Sequence, residues 1–277
     1  MLTPDLQNKV DRAIRLLQAF DNPDNPIEIA YSGGKDSDVI LQLAKDAGIH
    51  YRAIYKNTTI DPPGTINHVQ EMDVEILRPR KTFFQLIAKK GFPSRRKRFC
   101  CEYLKEYKVL DVVVIGVRKE ESRARKERYA EPTQCRGTGS NHVEQVLPIL
   151  DWTTKDVSEY LKERKVKCAP VYYDEEGRFH PERRLGCMCC PLQSYKKRIA
   201  EFEAHPGMVK AYIRAGKQFL DSHPDSKMGK EHKGNPYRFF FRDVFIKSKS
   251  EWESITTDMF GEPDFKKFLE NRFHLEL

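Results

Sequence analysis

No uninterrupted apolar run in this 277-residue chain approaches bilayer-spanning length. The opening Met1-Leu2-Thr3-Pro4-Asp5 has neither the basic nor the apolar region of a secretory leader. Both absences argue against a membrane role and make the cytoplasm the expected compartment. There is no internal repeat and no low-complexity tract, which leaves the chain available for a globular core. Seven cysteines, an odd number that includes two adjacent pairs, fit a metal site in a reducing compartment better than a secreted disulfide frame.

What is present is a chain with 39% apolar and 32% charged residues, enough to bury a sizeable core in one large domain or a domain with an appendage. Forty-nine basic against 41 acidic residues leave a net charge of +8. That excess suits a polyanionic partner such as a nucleic acid, although a nucleotide-binding enzyme also benefits from positive potential.

The most informative stretch is Ile27 to Ser37, a short apolar strand running into Ser32-Gly33-Gly34-Lys35-Asp36-Ser37. Paired glycines allow close backbone approach to an anion, the turn amides and the following helix N-terminus point at it, and Lys35 adds a full positive charge. Val39, Ile40, Leu43, Ala44 and Ala47 then recur at helical spacing, and Gly48 stands where a helix C-cap belongs. A Walker loop is excluded, because the four-residue gap before its Gly-Lys pair is missing.

Beyond the cradle, apolar runs alternate with helical patterns. Tyr51 to Tyr55 reads as a strand, Thr65 to Glu71 as a helix opening on a capping threonine, and Val74 to Leu77 as a strand. Thr82 to Lys90 reads as a helix ended by Gly91, and Val112 to Gly116 as a buried strand. Thr153 and Asp156 stand at capping-box spacing before Val157, Tyr160 and Leu161. This βαβ order predicts an α/β fold with a parallel sheet covered on both faces, and ligands at the carboxyl ends of its strands.

Cys100-Cys101 and, much later, Cys187-Met188-Cys189-Cys190-Pro191 form the second signal, with Cys187 and Cys190 at CxxC spacing. Two distant pairs can converge on one metal, and tetrahedral thiolates suit either zinc or an iron–sulfur cluster. Arg95, Arg96, Lys97 and Arg98 precede one pair and Arg183 and Arg184 the other, cations expected to favour thiolate.

The Ser32–Ser37 wording resembles the PP-loop of the adenine-nucleotide α-hydrolases. With Arg98–Lys105, Ile115–Arg125, Pro148–Val157 and Leu185–Pro191, the chain from about residue 27 to 192 is similar to phosphoadenosine-phosphosulfate (PAPS) reductase relatives. The resemblance implies a Rossmann-like, HUP-type parallel-sheet domain over 1–192, followed by a mostly helical, basic extension over 193–277. It implies cleavage between the α- and β-phosphates of ATP or another adenine nucleotide. Ser32, Gly33, Gly34, Lys35, Ser37, Asp61, Arg118 and Arg125 would bind the nucleotide, with Lys35, Asp36 and Ser37 serving the chemistry beside Mg²⁺. It also implies a [4Fe-4S] cluster on Cys100, Cys101, Cys187 and Cys190, with zinc as the alternative and Cys189 the competing ligand. Three ligands would leave an iron open to sulfide; four would favour a structural or electrostatic role.

Family reductases attack sulfur with a cysteine in a C-terminal tail, whereas here no cysteine follows Cys190. The expectation is therefore an ATP-dependent adenylating enzyme, activating tRNA or DNA for sulfur transfer from a donor such as a cysteine desulfurase. A sulfonucleotide reductase of sulfate assimilation and a non-catalytic nucleotide sensor are the alternatives. Lys227, Lys230, Lys233, Arg238 and Arg242, interleaved with His232, Tyr237 and Phe239 to Phe241, could track a nucleic acid; equally, the three phenylalanines could anchor this segment to the core.

Overall fold

The computed structural model describes residues 1–137, 142–247, 252 and 263–277. The chain divides into two compact units, one formed by residues 1–57, 61–78 and 106–186, the other by 58–60, 79–105 and 187–277.

The first unit holds a six-stranded sheet, β1 (Ile27–Tyr31), β2 (Tyr51–Lys56), β3 (Glu75–Leu77), β4 (Val112–Val114), β5 (Thr133–Arg136) and β6 (Val143–Val146), in the order β3-β2-β1-β4-β6-β5. All pairings are parallel except β5 with β6. This is the expected parallel α/β plan, with helices joining its strands. Because β1 pairs with β2 on one side and β4 on the other, successive connections leave it in opposite directions. Ligand crevices open at the carboxyl ends of strands at such a switch point.

Ile27, Ile29, Val39, Ile40, Leu43 and Val114 are fully buried there, as the periodicity predicts. Helix α1 (Pro4–Ala19) adds Leu6, Val10, Ala13 and Leu17 to the same core. The cradle helix α2 (Lys35–Ala47) closes on Gly48 at φ 65°, a left-handed cap. Thr153 and Asp156 make both bonds of their capping box at the start of a helix over Thr154–Glu163. One expected cap is different: helix α3 (Thr65–Glu71) starts from Gly64 at φ 81°, and Thr65 lies one residue inside, buried. Glycine reaches that left-handed conformation without the strain a threonine would carry.

The second unit is helical, with α4 (Phe83–Lys90), α5 (Phe99–Leu104) and, among later elements, helices over Tyr195–Ala204, Pro206–Ser222, Lys227–His232 and Pro236–Phe240. Its core is aromatic: Phe239, Phe240 and Phe241 are at most 2% exposed, and the Phe92 and Phe239 rings lie 4.2 Å apart. The three phenylalanines therefore anchor the segment. No helix among the described residues is long and apolar enough to cross a membrane.

Candidate functional site

The phosphate cradle is built by the turn between β1 and α2. Gly33 has φ +75°, and a Cβ there would meet Thr65 Cγ2 at 3.1 Å, so both conformation and space call for glycine. Gly34 caps α2 without a side chain, which leaves the helix N-terminus facing an adjoining cleft of about 330 Å³. Ser37 Oγ donates to the Gly34 carbonyl at 2.7 Å, and Ser32 Oγ donates to Ser37 Oγ at 3.2 Å, so the two hydroxyls bracket the turn.

The cleft is lined by Ser32, Gly34, Lys35, Asp36 and Ser37 together with Arg125 and Arg184. Lys35 is 3% exposed, and its Nζ lies 3.0 Å from Asp36 Oδ2. The other Asp36 oxygen accepts from Arg118 Nε at 2.7 Å. Arg118, also 3% exposed, bonds Glu120 at 2.8 Å, and its guanidinium stands behind the cleft rather than in its lining. Asp36 is thereby fixed between two cations and orients Lys35. Close packing continues at Gly116, where a Cβ would come within 2.9 Å of the Asp36 carbonyl oxygen.

Arg125 pairs with Glu121, and Arg184 donates to the Glu121 carbonyl at 2.7 Å. Burial and then the nearby Arg184 guanidinium lower the Arg125 pKa. Two guanidiniums and an ammonium thus line one cleft at a helix N-terminus, an arrangement that an oligophosphate would neutralise. Asp61, expected at the nucleotide, accepts from Tyr55 OH at 2.6 Å and stands outside the cleft lining.

Sequence reasoning missed Tyr172. Its buried hydroxyl accepts from the Lys35 amide at 3.2 Å and the Leu185 amide at 3.3 Å, tying the cradle to the segment carrying Arg184. It also missed a buried cluster beneath the cradle. Tyr31 donates to Asp38 Oδ1, and His68 Nε2 lies 2.9 Å from the Tyr31 hydroxyl and 3.1 Å from that carboxylate. Asp38 is legible only as the residue after the motif, and nothing in the spacing marks His68 as its partner.

In the second unit, Cys100 and Cys101 on α5 and Cys187 and Cys190 in the later turn line one small apolar cavity of about 30 Å³. Met188 N donates to the Ile60 carbonyl at 2.8 Å and Cys187 Sγ to Thr58 Oγ1 at 3.8 Å, contacts that hold the turn. None of the seven cysteines is in a disulfide. The Cys100 thiol is pushed well up, first by its hydrogen bond with Cys101, then by burial and by the charges of Cys101, Cys190 and Cys187. Burial raises the Cys190 thiol, and Cys187 and Cys101 raise it further.

Of the flanking arginines, Arg183 bonds the Val171 and Tyr173 carbonyls, and Arg184 lines the cleft. Cys189 is 1% exposed in the apolar core with φ 54°, away from the cavity wall, and burial pushes its thiol up to about 12. Among the described residues, no group of three or more His, Cys, Asp or Glu side chains is gathered closely enough to hold a metal ion. The donor chemistry nevertheless fits a thiolate-bound group, since four cysteines line one apolar cavity and a cationic centre would offset the burial that opposes ionisation of Cys100 and Cys190.

Residues 26–193 match the family model of the phosphoadenosine phosphosulfate reductase domain, and the chain belongs to that family. An uncharacterized protein of Methanocaldococcus jannaschii is 27% identical over 213 residues, 72% of this chain and 49% of that protein. The tRNA(Ile)-lysidine synthase of Francisella philomiragia is 26% identical over 200 residues, 64% of this chain and 47% of that enzyme. The chain thus spans about half the length of these curated relatives. Among solved structures, the U34-tRNA thiolase NcsA of Methanococcus maripaludis with its [4Fe-4S] cluster aligns with TM-score 0.41 and 14% identity, over 80% of this chain and 82% of that one.

Proposed function

We propose that this chain is an ATP-dependent PP-loop enzyme that adenylates a nucleic-acid oxygen in preparation for sulfur insertion. The observation that carries the reading is the cleft of Lys35, Arg125 and Arg184 at the N-terminus of α2. These groups would hold the β- and γ-phosphates while an acceptor oxygen attacks the α-phosphorus. The α–β anhydride then breaks and its bridging oxygen leaves with pyrophosphate. Lys35, held by Asp36, offsets the charge that builds on that leaving group, and the Ser32 and Ser37 hydroxyls donate to phosphoryl oxygens. Asp36, now paired with Lys35 and Arg118, would share Mg²⁺ with the phosphates when nucleotide binds. A sulfur nucleophile from a donor protein then displaces AMP from the acceptor carbon.

The similarity to tRNA(Ile)-lysidine synthase supports tRNA as the acceptor. Cys100, Cys101, Cys187 and Cys190 would hold the cluster, which supplies a place to carry sulfur or to set the local potential. The family's own description favours a second reading, reduction of a sulfonucleotide.

Anaerobically purified protein, with iron and sulfide quantified, offered ATP or adenylyl sulfates with and without tRNA or DNA, separates the two. The proposal expects pyrophosphate release stimulated by one polymer. Sulfite release from a sulfonucleotide with added thioredoxin, and no polymer effect on ATP, would overturn it.

A further inference from the structure

The second unit contains a cleft of about 610 Å³ that the nucleotide chemistry does not use. Its lining brings together Arg95 from the segment after α4, Arg198 from the helix Tyr195–Ala204, and Arg242 and Lys247 from the chain following Phe240. Four cations from three separate segments face one acid, Asp243, and that carboxylate lies 3.0 Å from the His232 ring. Arg242 pairs with Glu231, and Arg95 donates to the Gln193 carbonyl at 3.3 Å. Arg198 sits over the Tyr195 ring at 5.9 Å, and its buried Nε has no hydrogen-bond acceptor among the described residues.

A buried guanidinium N–H without an acceptor is costly, and like charges sharing a cleft add to the cost. Burial lowers the Arg198 pKa, partly offset by Tyr212 and Tyr195, and with Arg95, Arg242 and Lys247 in the same lining an anion would be stabilised there. The volume is that of a ligand pocket, far more than one phosphate needs. Pro191 lines both this cleft and the cysteine cavity, so whatever occupies the cleft runs alongside the thiols.

We infer that this cleft seats the phosphodiester backbone of a single nucleic-acid strand, with Arg95 and Arg198 as phosphate contacts. The strand's identity as acceptor rests on the function proposed above; the binding does not. In fluorescence anisotropy, a fluorescein-labelled RNA oligonucleotide and its DNA counterpart should bind the full chain with strongly salt-dependent affinity. Arg198→Gln and, at an exposed position that leaves packing untouched, Arg95→Glu should each weaken binding about tenfold. Each should also flatten the slope of log affinity against log salt by about 0.7, one phosphate contact on a single strand.

Thermal denaturation would confirm that both variants fold. Unchanged affinity and slope in the folded Arg95→Glu protein overturns the inference. So does saturable uptake of inorganic phosphate by a protein that binds neither oligonucleotide. Polymer-free ATP cleavage reports the cradle alone, so a protein that binds strands here but never cleaves ATP would sink the adenylation reading and leave this one standing.

Discussion

The phosphate cradle and the cysteine cavity handle charge in opposite ways. In the cradle, Lys35, Asp36 and Arg118 are already paired at 2.7 and 3.0 Å, so the machinery is assembled before any nucleotide arrives. In the cavity, four thiols share one apolar wall, and the Cys100 and Cys190 thiols are pushed up by burial and by the neighbouring cysteines. A preorganised site does not pay to rearrange during the chemical step, whereas a donor set whose ionisation is opposed gains most when its ligand enters. On the function proposed above, the first would serve turnover and the second retention.

Four substitutions would break or sharpen that contrast. The largest effect belongs to Lys35→Ala, which removes the only side-chain cation of the motif and leaves Asp36 held by Arg118 alone; nucleotide turnover should drop by about 10²–10³-fold. Steady-state pyrophosphate release checks it, and turnover equal to the parent's would show the cradle's pairing to be merely structural. Next, Cys100→Ser should strip most of the iron and sulfide from anaerobically purified protein. Cys189→Ser, a change outside the cavity wall, should leave both unchanged; iron assays and visible absorbance decide, and equal losses would erase the distinction between wall and core. The smallest effect is expected from Tyr172→Phe. Loss of the shared acceptor for the Lys35 and Leu185 amides should cost about 1 kcal/mol of stability and raise KM a few-fold with little change in kcat. Thermal denaturation and nucleotide titration would measure it, and a fall confined to kcat would instead put the hydroxyl at the reacting atoms.

Much of the first unit was legible because local chemistry and tertiary role coincide there. Gly33, Gly34 and Lys35 announce a tight anion-facing turn, the β-branched runs announce buried parallel strands, and Thr153 with Asp156 announces a helix start. Arg118 was legible as a cation after a strand, but not as one sunk behind the cleft, because burial depends on Asp36, Trp152 and Thr154 arriving from elsewhere. Tyr172 was invisible for a similar reason: it acts 137 residues from Lys35 through a single hydroxyl, and no periodicity marks it. The antiparallel partner of β6 escaped as well, since Thr133-Gln134-Cys135-Arg136 lacks an apolar alternation. The cysteines declared themselves by type and spacing, while the grouping of residues 79–105 with 187–277 rests on aromatic contacts between distant segments.

That grouping makes the helical half a patchwork rather than a detachable module. Phe92 finds its covering rings in Tyr212 and Phe239, more than a hundred positions downstream. Ribosomal synthesis must therefore expose the α4 face until the last third of the chain emerges, so the thiol chamber is among the final features to mature. On the function proposed above, any inorganic guest of that chamber would enter only at the end of folding.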